Sequence, residues 1–204
     1  MKRSPVALLG AALAAVALAV TGCSTPAPSA SPSAGQTAKS SYKIGVTQIV
    51  THASLDAARE GFKKAITASG LQVTYDEQNA NGEASTATNI ANKFKDANLD
   101  LILAIATPTA QSTSQVISDK PILFTAVTDP VAAKLVKSNE APGGNVTGTT
   151  DMNPVAEQIA LVKKLRPEAK TVGVIYSSGE VNSDVQVAVA KEAAAKEGLT
   201  LVEK

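Results

Sequence analysis

The run Leu101-Ile-Leu-Ala-Ile-Ala106, bounded by Asp100 and Thr107, leaves few folds open to the chain around it. Six consecutive apolar residues suit a strand covered on both faces, as in a parallel sheet, and are too short to cross a membrane. Thr107 and Pro108 follow at once and match an N-cap and a first helical residue. A strand that runs straight into a helix start brings unpaired N–H groups and the hydroxyls of Thr107 and Thr109 to the carboxyl edge of a sheet. Open α/β folds bind their ligands there, and an anionic ligand group is expected.

The same rhythm extends in both directions. Tyr42–Thr47 reads as a strand and Gln48–His52 as a polar loop, with Ser54 capping a helix whose Leu55, Ala58, Phe62 and Ile66 share one face. Leu71–Tyr75 reads as a second strand and Asp76–Gly82 as a polar loop, where Asn79 to Asn81 suit a left-handed turn. The next helix turns Ala87, Ile90, Ala91 and Phe94 inward and closes at Asn98. After a helix from Pro108 to Ser118, Pro121–Ala126 forms a strand, and Thr128-Asp129-Pro130 repeats the device of Thr107-Pro108, with Asp129 as N-cap. Two such loops from neighbouring strands converge on one crevice.

Val146–Thr150 is a short strand leading to Asp151, where the pattern restarts. Pro154 opens a helix with Val155, Ile159, Val162 and Leu165 inward, followed by a strand Thr171–Tyr176, a polar loop reaching Asn182, a helix capped by Ser183 that ends at Gly198, and a strand beginning at Leu199. Two strands cannot bury both faces of a sheet. Residues 42–150 are therefore expected to form a first lobe, and residues 151–204 a crossover and the start of an incomplete second one.

Ahead of the first strand, Lys2 and Arg3 precede a mostly Ala, Leu and Val run from Val6 to Val20, which reads as a secretory signal over residues 1–22. The small residues before Cys23 resemble the lipobox of bacterial lipoproteins. In that family the cysteine is diacylated, which would make Cys23 a membrane anchor on the extracytoplasmic face of the cell membrane. With one cysteine in the chain, no intramolecular disulfide is available. Residues 23–41, rich in Ser, Pro and Ala, cannot bury enough apolar surface to fold and read as a tether of about 20–25 Å as a flexible coil.

Charge and motif narrow the function classes. Removal of residues 1–22 takes away Lys2 and Arg3 and leaves 17 basic against 18 acidic side chains, without basic blocks, which argues against nucleic acid as a partner. There is no Gly-x-Ser-x-Gly elbow or Walker loop, and His52 is the only histidine, so nucleophilic, phosphoryl-transfer and zinc chemistries lack their parts. No catalytic residue, metal site or cofactor is expected.

Five segments then carry a family resemblance covering Tyr42 to Lys204: Asn79-Ala-Asn-Gly-Glu83, Ala104-Ile-Ala-Thr-Pro108, Phe124-Thr-Ala-Val-Thr-Asp-Pro130, Pro142-Gly-Gly-Asn-Val-Thr-Gly148 and Tyr176-Ser-Ser-Gly-Glu-Val-Asn-Ser183. In this order, behind a lipobox, they resemble the substrate-binding lipoproteins of ABC transporters, in a branch associated with aromatic amino acids. The resemblance implies an α/β fold of the type I periplasmic-binding-protein class, with two parallel-sheet, Rossmann-like lobes closing on a small ligand and docking to a permease and ATPase complex. That family's chains run well beyond this length.

A more distant resemblance, to branched-chain amino-acid receptors, matches Thr107 and Ala126-Val127-Thr128. In those receptors, hydroxyls and backbone N–H groups hold the ligand's carboxylate, while a backbone carbonyl and a Thr help hold its ammonium. The expected ligand-binding set is Gln48, Thr107, Thr109, Ala126, Thr128, Asp129, Asp151, Glu180 and Asn182. Thr107 and Thr128 equally suit helix caps, and Asp129 suits a cap better than an ammonium contact. His52 suits an ordinary loop, and Glu180 and Asn182 suit either a solvated loop or a cleft wall. The competing function classes are a lipid-anchored enzyme using Asp129, Asp151 or Glu180 as acid or base, and a sensor or adhesion module on the same fold.

Overall fold

The computed structural model describes residues 39–204. The signal segment 1–22, Cys23 and most of the tether lie outside the described residues. Among these residues seven strands and five helices follow in the order β1 (Tyr42–Gln48), α1 (Ala53–Ala68), β2 (Val73–Asn79), α2 (Ala84–Asp96), β3 (Leu101–Ile105), α3 (Thr107–Val116), β4 (Ile122–Val127), β5 (Val146–Thr150), α4 (Val155–Leu165), β6 (Thr171–Val174), α5 (Val181–Lys196) and β7 (Thr200–Glu203), with a helix between successive strands everywhere except between β4 and β5. The first five strands form one parallel sheet in the order β2-β1-β3-β4-β5, and β6 pairs with β7 in a second parallel sheet.

Burial follows the pleat. On one face Ile44, Val46, Leu103 and Ile105 meet Leu55 and Phe62 of α1. On the other, Ile102, Ala104, Ile122 and Phe124 pack with Ala87, Ile90 and Phe94 of α2 and Ala110 of α3. β3 is therefore apolar throughout, as expected for a strand covered on both sides. Gly45 allows this packing, because a methyl there would stand 2.7 Å from Leu99 Cδ1 and 3.0 Å from the Phe94 ring. α1 is covered less well. Leu55, Ala58, Phe62 and Ile66 share a face as expected, but none is fully buried.

Several local expectations are corrected. β2 runs through Asp76–Asn79, which the sequence presents as a loop. β2 pairs only with β1, so it is an edge strand in this sheet, and its polar side chains keep access to water. Ser54 does not cap α1. His52 does, with Nδ1 accepting the Ser54 N–H at 3.3 Å. α5 begins after Glu180 rather than Ser183, and Leu165, expected to face inward on α4, is 69% exposed. After Asp129 the chain makes a hydrogen-bonded turn instead of a helix. The Asn79–Gly82 turn adopts the expected left-handed backbone at Asn81 (φ 53°) and Gly82 (φ 85°).

The second sheet repeats the opening of the first, since β6-α5-β7 has the connectivity of β1-α1-β2. Its core is small: Val155 and Ile159 of α4 meet Ala190, Ala193 and Ala194 of α5 and Leu199. In the first sheet β3 occupies the edge of β1 that faces away from β2. The corresponding edge of β6 has no strand partner among the described residues, and Ile175 just beyond it is 90% exposed.

Candidate functional site

In the strand order 2-1-3-4-5 the chain reverses its winding between β1 and β3. α1 then covers one face and α2 and α3 the other, so a crevice opens at the carboxyl ends of β1 and β3. The residues at that edge are Thr47, Gln48, Ala106 and Thr107. Gln48 lies beside Ile105 in register.

Three buried polar atoms at this edge have no hydrogen-bond partner: Thr47 Oγ1, Gln48 Oε1 and Thr107 Oγ1. Their residues are only 1–2% exposed. Buried polar groups are almost always paired, so each orphan at these strand ends marks a place where a further group can bind, although the pleat turns Thr47 toward the α2 and α3 face and Gln48 toward the α1 face. The sequence alone does not single out Thr47. In an alternating strand a single threonine carries no signal, and only its position at the strand's end brings it to the crevice.

Backbone strain marks the same edge. Ala106, directly after β3, has φ 84° and ψ 154°, a region that only glycine visits readily, and Ala126 near the end of β4 has φ 55°. The Ala106 backbone acts as the N-cap of α3, which moves Thr107 from the expected cap position to the first helical residue. Its hydroxyl is thus not spent on capping. Thr109 differs: its hydroxyl donates within the chain, to Ile105 O at 2.6 Å and Ala106 O at 3.0 Å, and so ties α3 to β3.

At the end of β4, Thr128 is buried, and Asp129 accepts the backbone N–H groups of Val131 and Ala132, both at 2.9 Å. That is the capping role weighed from the sequence, applied to a turn. Asp151 follows β5 with its side chain exposed, while its N–H donates to Val127 O at 3.1 Å.

Glu180 and Asn182 come from the second unit. A cavity of about 280 Å³ joins Glu180 and Gly179 to Ile49, Gly82, Pro108 and Gln111 of the first. Glu180 therefore stands opposite the starts of α2 and α3. Asn182 Nδ2 donates to Glu180 Oε2 at 3.1 Å, and Asn182 Oδ1 is a further buried atom without a partner.

Gln48 shows the same arrangement on the other side. Its Nε2 donates to Val50 O and to Asp56 Oδ1, each at 2.8 Å. Beyond Asp56 a chain of charges leads outward: Arg59 lies 3.6 Å from Asp56 and 3.3 Å from Glu77, and Lys63 donates to Glu77 at 2.7 Å. The hydrogen bond to Glu77 raises the Lys63 pKa despite the opposing effect of burial.

The edge therefore presents hydroxyls, carboxamides and a helix N-terminus. The chain is 46% identical to a tyrosine-binding protein of Clostridioides difficile over 170 residues, covering 81% of this chain and 49% of that protein. A Streptococcus pneumoniae ABC domain solved in complex with L-Trp superposes with a TM-score of 0.78 at 41% identity, over 81% of this chain and 57% of that one. A leucine-binding protein of Thermotoga maritima shares the type I fold at 18% identity and a TM-score of 0.61, over 80% and 48% of the two chains. The chain thus spans about half the length of the relatives it matches. Residues 43–204 match the model of the ABC transporter substrate binding proteins, and the chain, with its parallel α/β sheet, belongs to that family.

Proposed function

We propose that this protein captures an aromatic amino acid outside the cytoplasm and delivers it to the permease and ATPase of an ABC importer. The buried, unpartnered oxygens of Thr47, Gln48 and Thr107 at the carboxyl ends of β1 and β3 carry this reading, in a chain 46% identical to a tyrosine-binding protein. Thr107 at the start of α3 suits a ligand carboxylate, since the helix terminus there offers N–H groups and a positive dipole end. Thr128, Ala126 and Asp151 contribute the β4 and β5 side of the site, and Glu180 and Asn182 the opposing wall. Turnover has no support in this arrangement, because the Asp129 carboxylate accepts two backbone N–H groups and Asp151 is exposed.

The test is a thermal-shift and calorimetric screen of the protein against a panel of amino acids. Tyrosine and tryptophan are expected to raise the unfolding midpoint by mass action, while aspartate and lysine leave it unchanged. No response to any aromatic amino acid would overturn the reading. Membrane attachment is part of the same proposal. Cys23, diacylated after removal of residues 1–22, would anchor the chain, since two acyl chains hold stably where one is marginal. A Cys23→Ala precursor should then leave the membrane fraction, and wild-type retention would refute the anchor.

A further inference from the structure

The Gln48 carboxamide has one orientation open to it. Its nitrogen lies 2.8 Å from both Val50 O and Asp56 Oδ1. Both are acceptors without a proton to give, so the flipped amide would set oxygen against oxygen twice. Oε1 must therefore point away from Asp56, and there it is buried without a partner. An amide that donates to a carboxylate is polarised, and its carbonyl becomes a stronger acceptor. The surrounding charges keep that bias. Asp56, Glu60 and Glu77 outnumber Arg59 and Lys63 in the cluster behind Gln48.

We propose that Gln48 Oε1, held in place by Asp56, accepts the α-ammonium of the bound amino acid. Asp56 acts as a positioning residue, through Gln48 and without touching the ligand. The assignment rests on the receptor reading above and divides the crevice by charge. The α3 terminus with Thr107 takes the anionic end, and the β1 terminus takes the cationic end. It also accounts for a buried glutamine at the last residue of a strand whose other buried side chains on that face, Ile44 and Val46, are aliphatic.

Calorimetric titration of the whole protein with tyrosine, tryptophan and their des-amino counterparts, hydroxyphenylpropionate and indolepropionate, tests this. Gln48→Met keeps the length and removes the acceptor. It should weaken the amino acids ten- to a hundredfold and change the propionates by less than threefold. Asp56→Asn keeps an oxygen that accepts from Gln48 Nε2 but removes the charge that polarises the carboxamide. It should weaken the amino acids by about three- to tenfold and again spare the propionates. Equal losses for both ligand classes would make the pair a structural brace and overturn the proposal, as would unchanged affinity in either variant. If Gln48→Met fails to fold, the Asp56→Asn ratio decides alone. Wild-type protein that binds none of the four overturns the receptor reading and this assignment together, whereas binding with an unaltered ratio in the variants overturns only the assignment.

Discussion

A threonine hydroxyl buried without a partner, as at Thr107, lowers stability unless a ligand completes it. An unmade hydrogen bond in the interior costs about 1–3 kcal/mol. Thr107→Val keeps the shape and removes the orphan, so fold stability should stay level or rise by up to about 1 kcal/mol. Affinity for an amino acid should fall by about 1.5–3 kcal/mol, roughly ten- to a hundredfold. A denaturation curve beside a binding isotherm separates the two effects. If stability drops and binding does not, the hydroxyl serves the fold. Thr109, two residues on, should behave in the opposite way, because its hydroxyl already donates to Ile105 O and Ala106 O. Similar residues in one short stretch thus take different roles, and only the position of the cap at Ala106 distinguishes them.

At the scale of elements, the β4–β5 pair leaves no room for a side chain at Gly148. A methyl at Gly148 would stand 2.0 Å from Phe124 O and 2.6 Å from the Phe124 ring, next to the register shift between Phe124 and Val127. Gly148→Ala should therefore push β5 away and destabilise the protein by about 1–3 kcal/mol or more, as overpacking does. A chemical-denaturation midpoint indistinguishable from wild type would contradict the packing described. Two carboxylates clamp other elements. The Lys39 ammonium and the Lys43 N–H hold the Asp100 carboxyl below the ordinary range. Asp76 is pushed up by burial but drawn further down by its hydrogen bonds from Lys93 and Gln78. A carboxyl whose folded pKa is depressed stabilises the fold above its unfolded value of about 3.9, and that contribution is lost as pH falls through the lower folded value. Stability should thus decline below about pH 4. Asp76→Asn should flatten the decline, and an unchanged acid profile in that variant would remove β2–α2 pairing as a cause.

Across residues 39–204, burial is unevenly distributed. β1, β3 and β4 lie between two covered faces, whereas β6 and β7 contribute only half-buried or exposed residues and rest on one thin core. Amide exchange should therefore be slowest in β1 and β3 and faster in β6 and β7 by orders of magnitude, because sub-global opening follows buried contact. Equal protection in both sheets would show that the second unit is stabilised independently. The βα alternation, the inward faces of α2 and β3, the left-handed Asn81 turn and the small-hydroxyl strand ends are all legible in the amino-acid sequence. Each of these follows from local periodicity and backbone preference, which act over a few residues. The sequence also supported the family, through five short segments in order. Only the tertiary structure decided that Asp76–Asn79 is strand, because an edge tolerates polar side chains. It moved the caps to His52, Ala106 and Glu180, because cap geometry depends on backbone angles that several neighbouring residues could adopt. And it brought Thr47, Gln48 and Thr107 to one edge of the sheet, because residues about sixty positions apart are set side by side there by the pairing of β1 with β3, which no local pattern records.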